Sequence, residues 1–368
     1  MDFTLSETQR ELAGLTRTIL TDHVTAPRLR QLADDGQLFD AELWRHLAEA
    51  GVVSAGLPET IGGGGLEFLE QCSILIEVGR AVAPVPYLTC VTAAAALAYF
   101  GTDEQRQRWA APAAAGELVL TAALTEELAD SAEHPLTRAD RTDAGWRLTG
   151  TKALVPFGAV AGAFLVPAAT EDGAALFVVL PDDPGVALVP QRITDGDTET
   201  TLELAAVDVP DDRRLPGADV VHWLVARTTI GLAAYQTGVL ERALELTAEY
   251  AREREQFGRP IGSFQAVAQR LADAYIDVEA VRITTWEAAW RIAEALPCPT
   301  EIATAKFWAA DAGHRVAHTA IHVHGGTGID LDGQAHRYFT AAKRTEFTLG
   351  GATAQLRQLG AELAATPA

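Results

Sequence analysis

The hydrophobic pattern of this chain changes period twice, and that double change restricts the fold more than any other feature. Up to about residue 115 the apolar residues recur at helical intervals. Ser6 and Gln9 have capping-box spacing, and Leu12, Leu15 and Ile19 follow on one face. A second helix is expected after Asp40, with Leu43, Leu47 and Ala48 inward and a stop at Gly51. The run "GLPETIGGGG" reads as a loop, helices follow over 66–81 and 88–100, and Thr102 with Gln105 forms another capping box. From residue 116 the texture becomes short β-rich runs ("ALFVVLP", "GVALVPQ", "TTLELAAVDVP") punctuated by Gly, Pro and Asp, as in an antiparallel sandwich or barrel. Helical spacing then returns. Ile230, Ala234, Thr237, Leu240, Leu244 and Ala248 mark a helix over 226–251, and another is expected over 264–294. The apolar stripe on 226–251 reads as bundle core rather than a substrate groove. The fold class is therefore α+β and multidomain: an N-terminal helical domain (1–115), a middle β domain (116–222) and a C-terminal helical bundle (223–368).

Composition narrows the partners. Hydrophobic residues make up 48% and charged residues 21%, a globular mixture, and the formal net charge is −21. A polyanion of this kind repels nucleic acid, whose affinity for proteins comes mostly from cations on phosphates. Cys72, Cys90 and Cys298 have no CxxC spacing, which points to reduced thiols. The start has no signal-peptide layout, and no apolar run approaches the roughly 18 residues of a membrane span. A cytoplasmic location is expected. Two apparent motifs carry little. His314, His318 and His322 share a helical face, but without an HExxH they read as packing rather than zinc ligands. The glycines at 62–65 lack the Lys-Ser/Thr of a phosphate loop.

The stretch "REREQFGRPIGSFQ" (252–265) stands out in so acidic a chain. Arg252, Arg254 and Arg259 offer paired donors for phosphate oxygens, Phe257 an apolar face for a flat ring, and Gln265 an adaptable polar head. Cations closing a helix C-terminus explain the arginines equally well on spacing alone.

Taken with its surroundings, the stretch resembles the flavin motif of the acyl-CoA dehydrogenase family. "GLPETIGGGGL", "GTDEQRQRW" followed by Gly116-Glu117, "ALTEELADS", "LTGTKALVPFGAVAGAFLV" and "HVHGGTGI" are similar to further family segments in the right order, so the resemblance spans essentially the whole chain. It implies FAD as cofactor, α,β-desaturation of an acyl-CoA thioester, and an electron-transfer flavoprotein as acceptor. It also implies that Arg254, Gln256, Phe257, Ile261 and Gln265, with His322, Gly325 and Gly326, reach the adenosine-diphosphate half of a neighbouring subunit's flavin. His322 stands where the family has Gln. Thr125, Val155 and Pro156 fall where the family holds the isoalloxazine ring.

The chain departs from the family at the chemistry. The usual base is a Glu near the C-terminus; that position is Leu349 when counted from Lys343, or Gly351 when aligned on Thr-Ala-Gln. The alternative seat on the first long C-terminal helix is Thr228. Glu346 is the one acid close by, with pairing to Lys343 or Arg344 as its plainer role. Glu127 replaces the Pro of the flavin loop, and Leu154-Val155-Pro156 replaces an aromatic-Ile-Thr strand, leaving no hydroxyl and, at proline, no N–H. The resemblance thus implies a non-catalytic subunit of a heteromeric dehydrogenase (a heterotetramer with a base-bearing relative), acting in fatty-acid or steroid side-chain catabolism. Alternatives are a homo-oligomeric dehydrogenase with an atypical base, a flavin monooxygenase of the same fold, and a non-enzymatic acyl-CoA binder.

Overall fold

The computed structural model describes residues 3–37, 39–195, 198–331 and 333–365. Helices α1 (Glu7–His23), α2 (Ala26–Asp34), α3 (Ala41–Glu49), α4 (Phe68–Ala81), α5 (Tyr87–Phe100), α6 (Asp103–Gln105) and α7 (Ala111–Ala114) come first. Strands β1 (Leu120–Ala122), β2 (Arg138–Thr142), β3 (Gly145–Pro156), β4 (Ala163–Thr170), β5 (Gly173–Val179), β6 (Val186–Arg192) and β7 (Thr198–Val209) follow. The rest is helical: α8 (Val220–Glu253), a hairpin of β8 (Glu255–Gln256) and β9 (Arg259–Pro260), α9 (Gln265–Ala293), α10 (Pro299–His324), α11 (Ala335–Phe347) and α12 (Ala352–Ala365). The α–β–α order expected from periodicity is the order observed. No helix among the described residues is long and apolar enough to cross a membrane.

Local chemistry explains the helix starts. Ser6 and Gln9 exchange hydrogen bonds (Gln9 N to Ser6 Oγ 3.1 Å, Ser6 N to Gln9 Oε1 2.8 Å), and Thr102 and Gln105 repeat the arrangement. Asp40 caps α3 through Leu43 N at 3.1 Å, while Arg28 grips the same carboxylate with two nitrogens at 2.9 and 2.8 Å. The Arg28 guanidinium holds Asp40 below the usual carboxylate range.

The chain forms two compact units. One comprises Asp22–Glu67 and Pro84–Thr228 and contains the seven-stranded sheet, in the order β1-β4-β2-β3-β7-β6 with β5 on β4. The pairings are antiparallel except where β1 and β2 meet β4. Trp146, Leu148, Val155, Phe164, Phe177, Leu202 and Val207 pack its core. The other unit comprises Met1–Thr21, Phe68–Ala83 and Thr229–Ala368. Its core is rich in small residues (Ala233, Ala243, Ala309, Ala312, Ala341, Ala342), which lets helix backbones approach closely. The α4–α8 crossing depends on this. A Cβ at Gly238 would lie 1.8 Å from Ile76 O, and one at Gly79 would lie 2.0 Å from Tyr235 O. Arg80 on α4 then binds Glu241 (3.0 Å) and Glu245 (2.8 Å) on α8.

Candidate cofactor surface and the seats of the base

Helix α8 ends where Arg254 N donates to Tyr250 O (2.8 Å), and the chain turns back so that Ile261 N donates to Arg254 O (2.8 Å). Glu255 pairs with Pro260 and Gln256 with Arg259, leaving Phe257 and Gly258 as a two-residue loop. Both loop residues have positive φ (54° and 76°), as a tight hairpin of this length requires. Glycine adopts that conformation freely, but a bulky L-residue does so at a cost of about 1–2 kcal/mol. Phe257 bears that strain with its ring 93% exposed, so folding gains nothing from it. Arg252, Arg254 and Arg259 are exposed around it, and among the described residues none of the three is paired with a carboxylate. Gln256 and Gln265 are exposed as well, while Ile261 is half-buried beneath them. Arg259 lies 4.2 Å from the Phe264 ring, which Phe257 meets edge-on at 6.2 Å. Under the hairpin lies a groove of about 420 Å³, lined by Ala248, Ala251, Arg252, Pro260, Gly262, Ser263, Ala268 and Leu271.

The end of α10 comes to the same place. His324 stacks on Tyr250 (4.4 Å between rings, 20° apart), which sets the last turn of α10 against the last turn of α8. His322, Gly325 and Gly326 are exposed there, and space for a Cβ is open over both glycines. Two segments some sixty residues apart thus meet where Tyr250 stacks on His324, one offering Arg252, Arg254 and Arg259 among Glu253 and Glu255, the other His322 and two open glycines. His314 and His318 lie further back on α10 with their rings 4.4 Å apart, His314 against Lys343 and Glu346.

The residues expected near a flavin ring lie in the sheet-bearing unit and are differently placed. Thr125 bridges to Ala153, whose N donates to Thr125 O at 2.9 Å. Val155 is wholly buried in the sheet core, and the carbonyl of Pro156 accepts from Thr121 Oγ1 at 2.6 Å. Between Lys152 and Val155 the β3–β7 register shifts, and Leu154 (φ 51°) and Phe157 (φ 52°) adopt left-handed conformations. The strand end is therefore a bulge that turns Leu154 outward and Val155 inward. Glu126 is turned inward too. Its carboxylate accepts from Leu136 N (2.6 Å) and Thr137 N (3.1 Å) and pairs with the buried ammonium of Lys152. Burial alone would push Glu126 up, but hydrogen bonds from Lys152 and Thr137 hold it below the ordinary carboxylate range.

None of Thr228, Leu349 and Gly351, where the resemblance places the base, carries a carboxyl group. Thr228 is buried and donates to Leu224 O one turn back in its own helix (2.8 Å). Leu349 (φ 55°) and Gly350 (φ 92°) form the turn between α11 and α12, with Gly351 next. Glu346 sits one turn earlier, its side chain 12% exposed and bound by Lys343 Nζ (2.6 Å) and His314 Nδ1 (3.3 Å). Lysines 152 and 306 are both fully buried, and nothing in the sequence around Lys152 marks it as such. For Lys306 a signal existed, since it interrupts an otherwise apolar helix stripe in "EIATAKFWAADAG".

Comparison with known proteins gives the family. Residues 6–117 match the model described as acyl-CoA dehydrogenase, N-terminal domain, and residues 216–364 the model described as acyl-CoA dehydrogenase, C-terminal domain. Acyl-CoA dehydrogenase FadE27 of Mycobacterium tuberculosis is 52% identical over 377 residues, covering 100% of both chains. A chain in the crystal structure of the ChsE4–ChsE5 complex from Mycobacterium tuberculosis superposes with TM-score 0.96 at 51% identity, again over 100% of both. A chain of the Tcur3481–Tcur3483 steroid ACAD superposes with TM-score 0.93 at 42% identity, covering 99% of this chain and 100% of that one. The chain belongs to the acyl-CoA dehydrogenase family, oxidoreductases whose general reaction is FAD-dependent dehydrogenation.

Proposed function

We propose that this chain is the non-catalytic subunit of a heteromeric acyl-CoA dehydrogenase and completes the FAD site of an unlike, base-bearing partner. The observation that carries this is the contrast between two surfaces. Around Phe257 the chain offers three guanidiniums that no described carboxylate pairs, an exposed ring held at positive φ and an apolar groove, which suit the phosphates and adenine of a flavin. Around Val155 it offers a buried side chain and a proline without an N–H, which do not suit the isoalloxazine ring. The chemistry that FAD supplies in this family is acceptance of a hydride from the β-carbon of an acyl-CoA.

In this reading Arg254, Gln256 and Phe257, with Gln265, His322, Gly325 and Gly326, bind and orient the adenosine-diphosphate half of the partner's cofactor. The α-proton goes to a carboxylate of the partner, because Thr228, Leu349 and Gly351 have no group to receive it. Glu346 does not serve, being held by Lys343 and His314. By analogy with the steroid ACAD relative we propose an acyl-CoA bearing a steroid side chain, an electron-transfer flavoprotein as acceptor, and a cytoplasmic setting. The division into domains at 1–115, 116–222 and 223–368 is likewise ours, supported by family matches that leave the middle segment uncovered.

The test is flavin content and native mass for the chain purified alone and co-expressed with a base-bearing relative. The expected result is a colourless chain alone and about one FAD per unlike pair. Phe257→Ala should lower that occupancy without changing the native mass. A yellow homo-oligomer carrying one FAD per chain would overturn the reading and return attention to Glu346.

A further inference from the structure

The α11–α12 turn is held more firmly than a surface connection requires, and the group holding it is a buried lysine amine, whose N–H donors remain when it is neutral. The last carbonyls of a helix have no partners within the helix and carry partial negative charge. At the end of α11 those of Thr345 and Glu346 accept from Lys306 Nζ on α10, at 3.1 and 3.2 Å. Beyond them, Gln355 Nε2 donates to Leu349 O (3.1 Å) and Gly350 O (3.4 Å). Gly350 N reaches Phe347 O at 3.1 Å, and Ala354 N reaches Gly351 O at 3.0 Å. Two consecutive residues of this turn, Leu349 and Gly350, have positive φ, and Leu349 keeps that conformation only because its surroundings impose it.

Lys306 is unusual among these groups. It is fully buried, and among the described residues no carboxylate lies within ion-pair distance of it. The carboxylate of Glu346 is turned instead to Lys343 and His314. A buried ammonium bound only to carbonyls is expensive to keep, because carbonyl dipoles repay little of its hydration.

We propose that Lys306 is the positioning residue of the α11–α12 turn: it ties down the end of α11, and the turn lifts away only together with hydration of the Lys306 amine. Proton linkage gives this a definite sign. Burial lowers Lys306 to about 8, against an ordinary lysine value near 10.4 once water reaches it. The open turn therefore binds a proton more tightly than the closed one, and raising the pH closes it. With those two values the opening constant falls roughly tenfold between pH 7 and pH 9. The titratable neighbours are Glu346 and Lys343 on α11 and His314 and His318 on α10. The inference is independent of the heteromer, since it concerns this chain alone and needs no flavin.

The experiment is rapid-quench hydrogen exchange of the full chain at pH 7 and pH 9, read on peptides spanning 346–356 after dividing out the intrinsic rate. The wild type should gain about tenfold in protection on going to pH 9. Lys306→Met has no proton to take up, and Lys306→Arg never loses its charge, so both should be flat. A flat wild-type profile, or the same tenfold rise in Lys306→Met, overturns the proposal. If Lys306→Met does not fold, the wild-type profile and Lys306→Arg decide the matter.

Discussion

Replacing Lys152 by methionine tests whether an internal ion pair organises the loop after Thr125. Lys152 is wholly buried and the Glu126 side chain is 4% exposed, so the substitution strands a carboxylate with only the N–H groups of Leu136 and Thr137 as donors. Removing one partner of a buried pair costs about 3–5 kcal/mol; the two remaining donors place this site toward the lower end. The double variant Glu126→Gln/Lys152→Met removes both charges and should recover most of that loss, a coupling of about 2 kcal/mol or more. The pH dependence supplies a second sign. In the wild type Glu126 is held low, so its contribution is present above the unfolded value near 4.3 and is lost as pH falls below it. In Lys152→Met, only the Leu136 and Thr137 N–H groups still oppose burial, so the carboxyl rises and the deficit should shrink on acidification from pH 7.5 to 5.5. The assay is urea unfolding at both pH values, with hydrogen exchange on peptides covering 120–160 to locate the loss. A Lys152→Met deficit below about 1 kcal/mol, no smaller in the double variant and unchanged by pH, would refute the reasoning.

Two further substitutions probe the scaffold. Gly238→Ala puts a methyl group 1.8 Å from Ile76 O, against backbone that cannot rotate away, and should cost at least about 1–3 kcal/mol; an unchanged melting temperature would mean that α4 and α8 are not in close contact. Asp40→Ala removes the α3 cap and should cost about 1–2 kcal/mol at neutral pH. Because Arg28 holds Asp40 low, that contribution is present above the unfolded value near 3.9 and fades as pH falls below it. Urea midpoints of wild type and variant should therefore draw together as pH falls from 5 towards 3, and a gap that did not narrow at all would contradict this account.

The residues proposed for the cofactor surface lie mostly within one short stretch, so their types and spacing can be read from the sequence. Gly258 and Pro260 are residues that end a helix wherever they occur, so the break after Arg254 is local, but the positive φ of Phe257 is a strained state that the folded surroundings impose. The capping pairs Ser6–Gln9 and Thr102–Gln105 and the switch from helical to strand periodicity are equally local. That Leu349, Gly351 and Thr228 carry no carboxylate is a matter of residue identity, whichever of them corresponds to the family's base.

Which charged groups are free was decided only in three dimensions. Glu346 read from the sequence as a candidate base, yet its availability depends on Lys343 and on His314 in another helix. Lys152 and Lys306 looked like ordinary polar residues until packing removed the water around them and made their protonation and partners consequential. Val155 and Leu154 exchanged faces because a bulge interrupts the alternation that a strand pattern assumes. Periodicity and capping act over three or four residues and are written in the sequence. Burial, and the electrostatics that follow from it, is a sum over segments distant along the chain, which only the folded arrangement brings together.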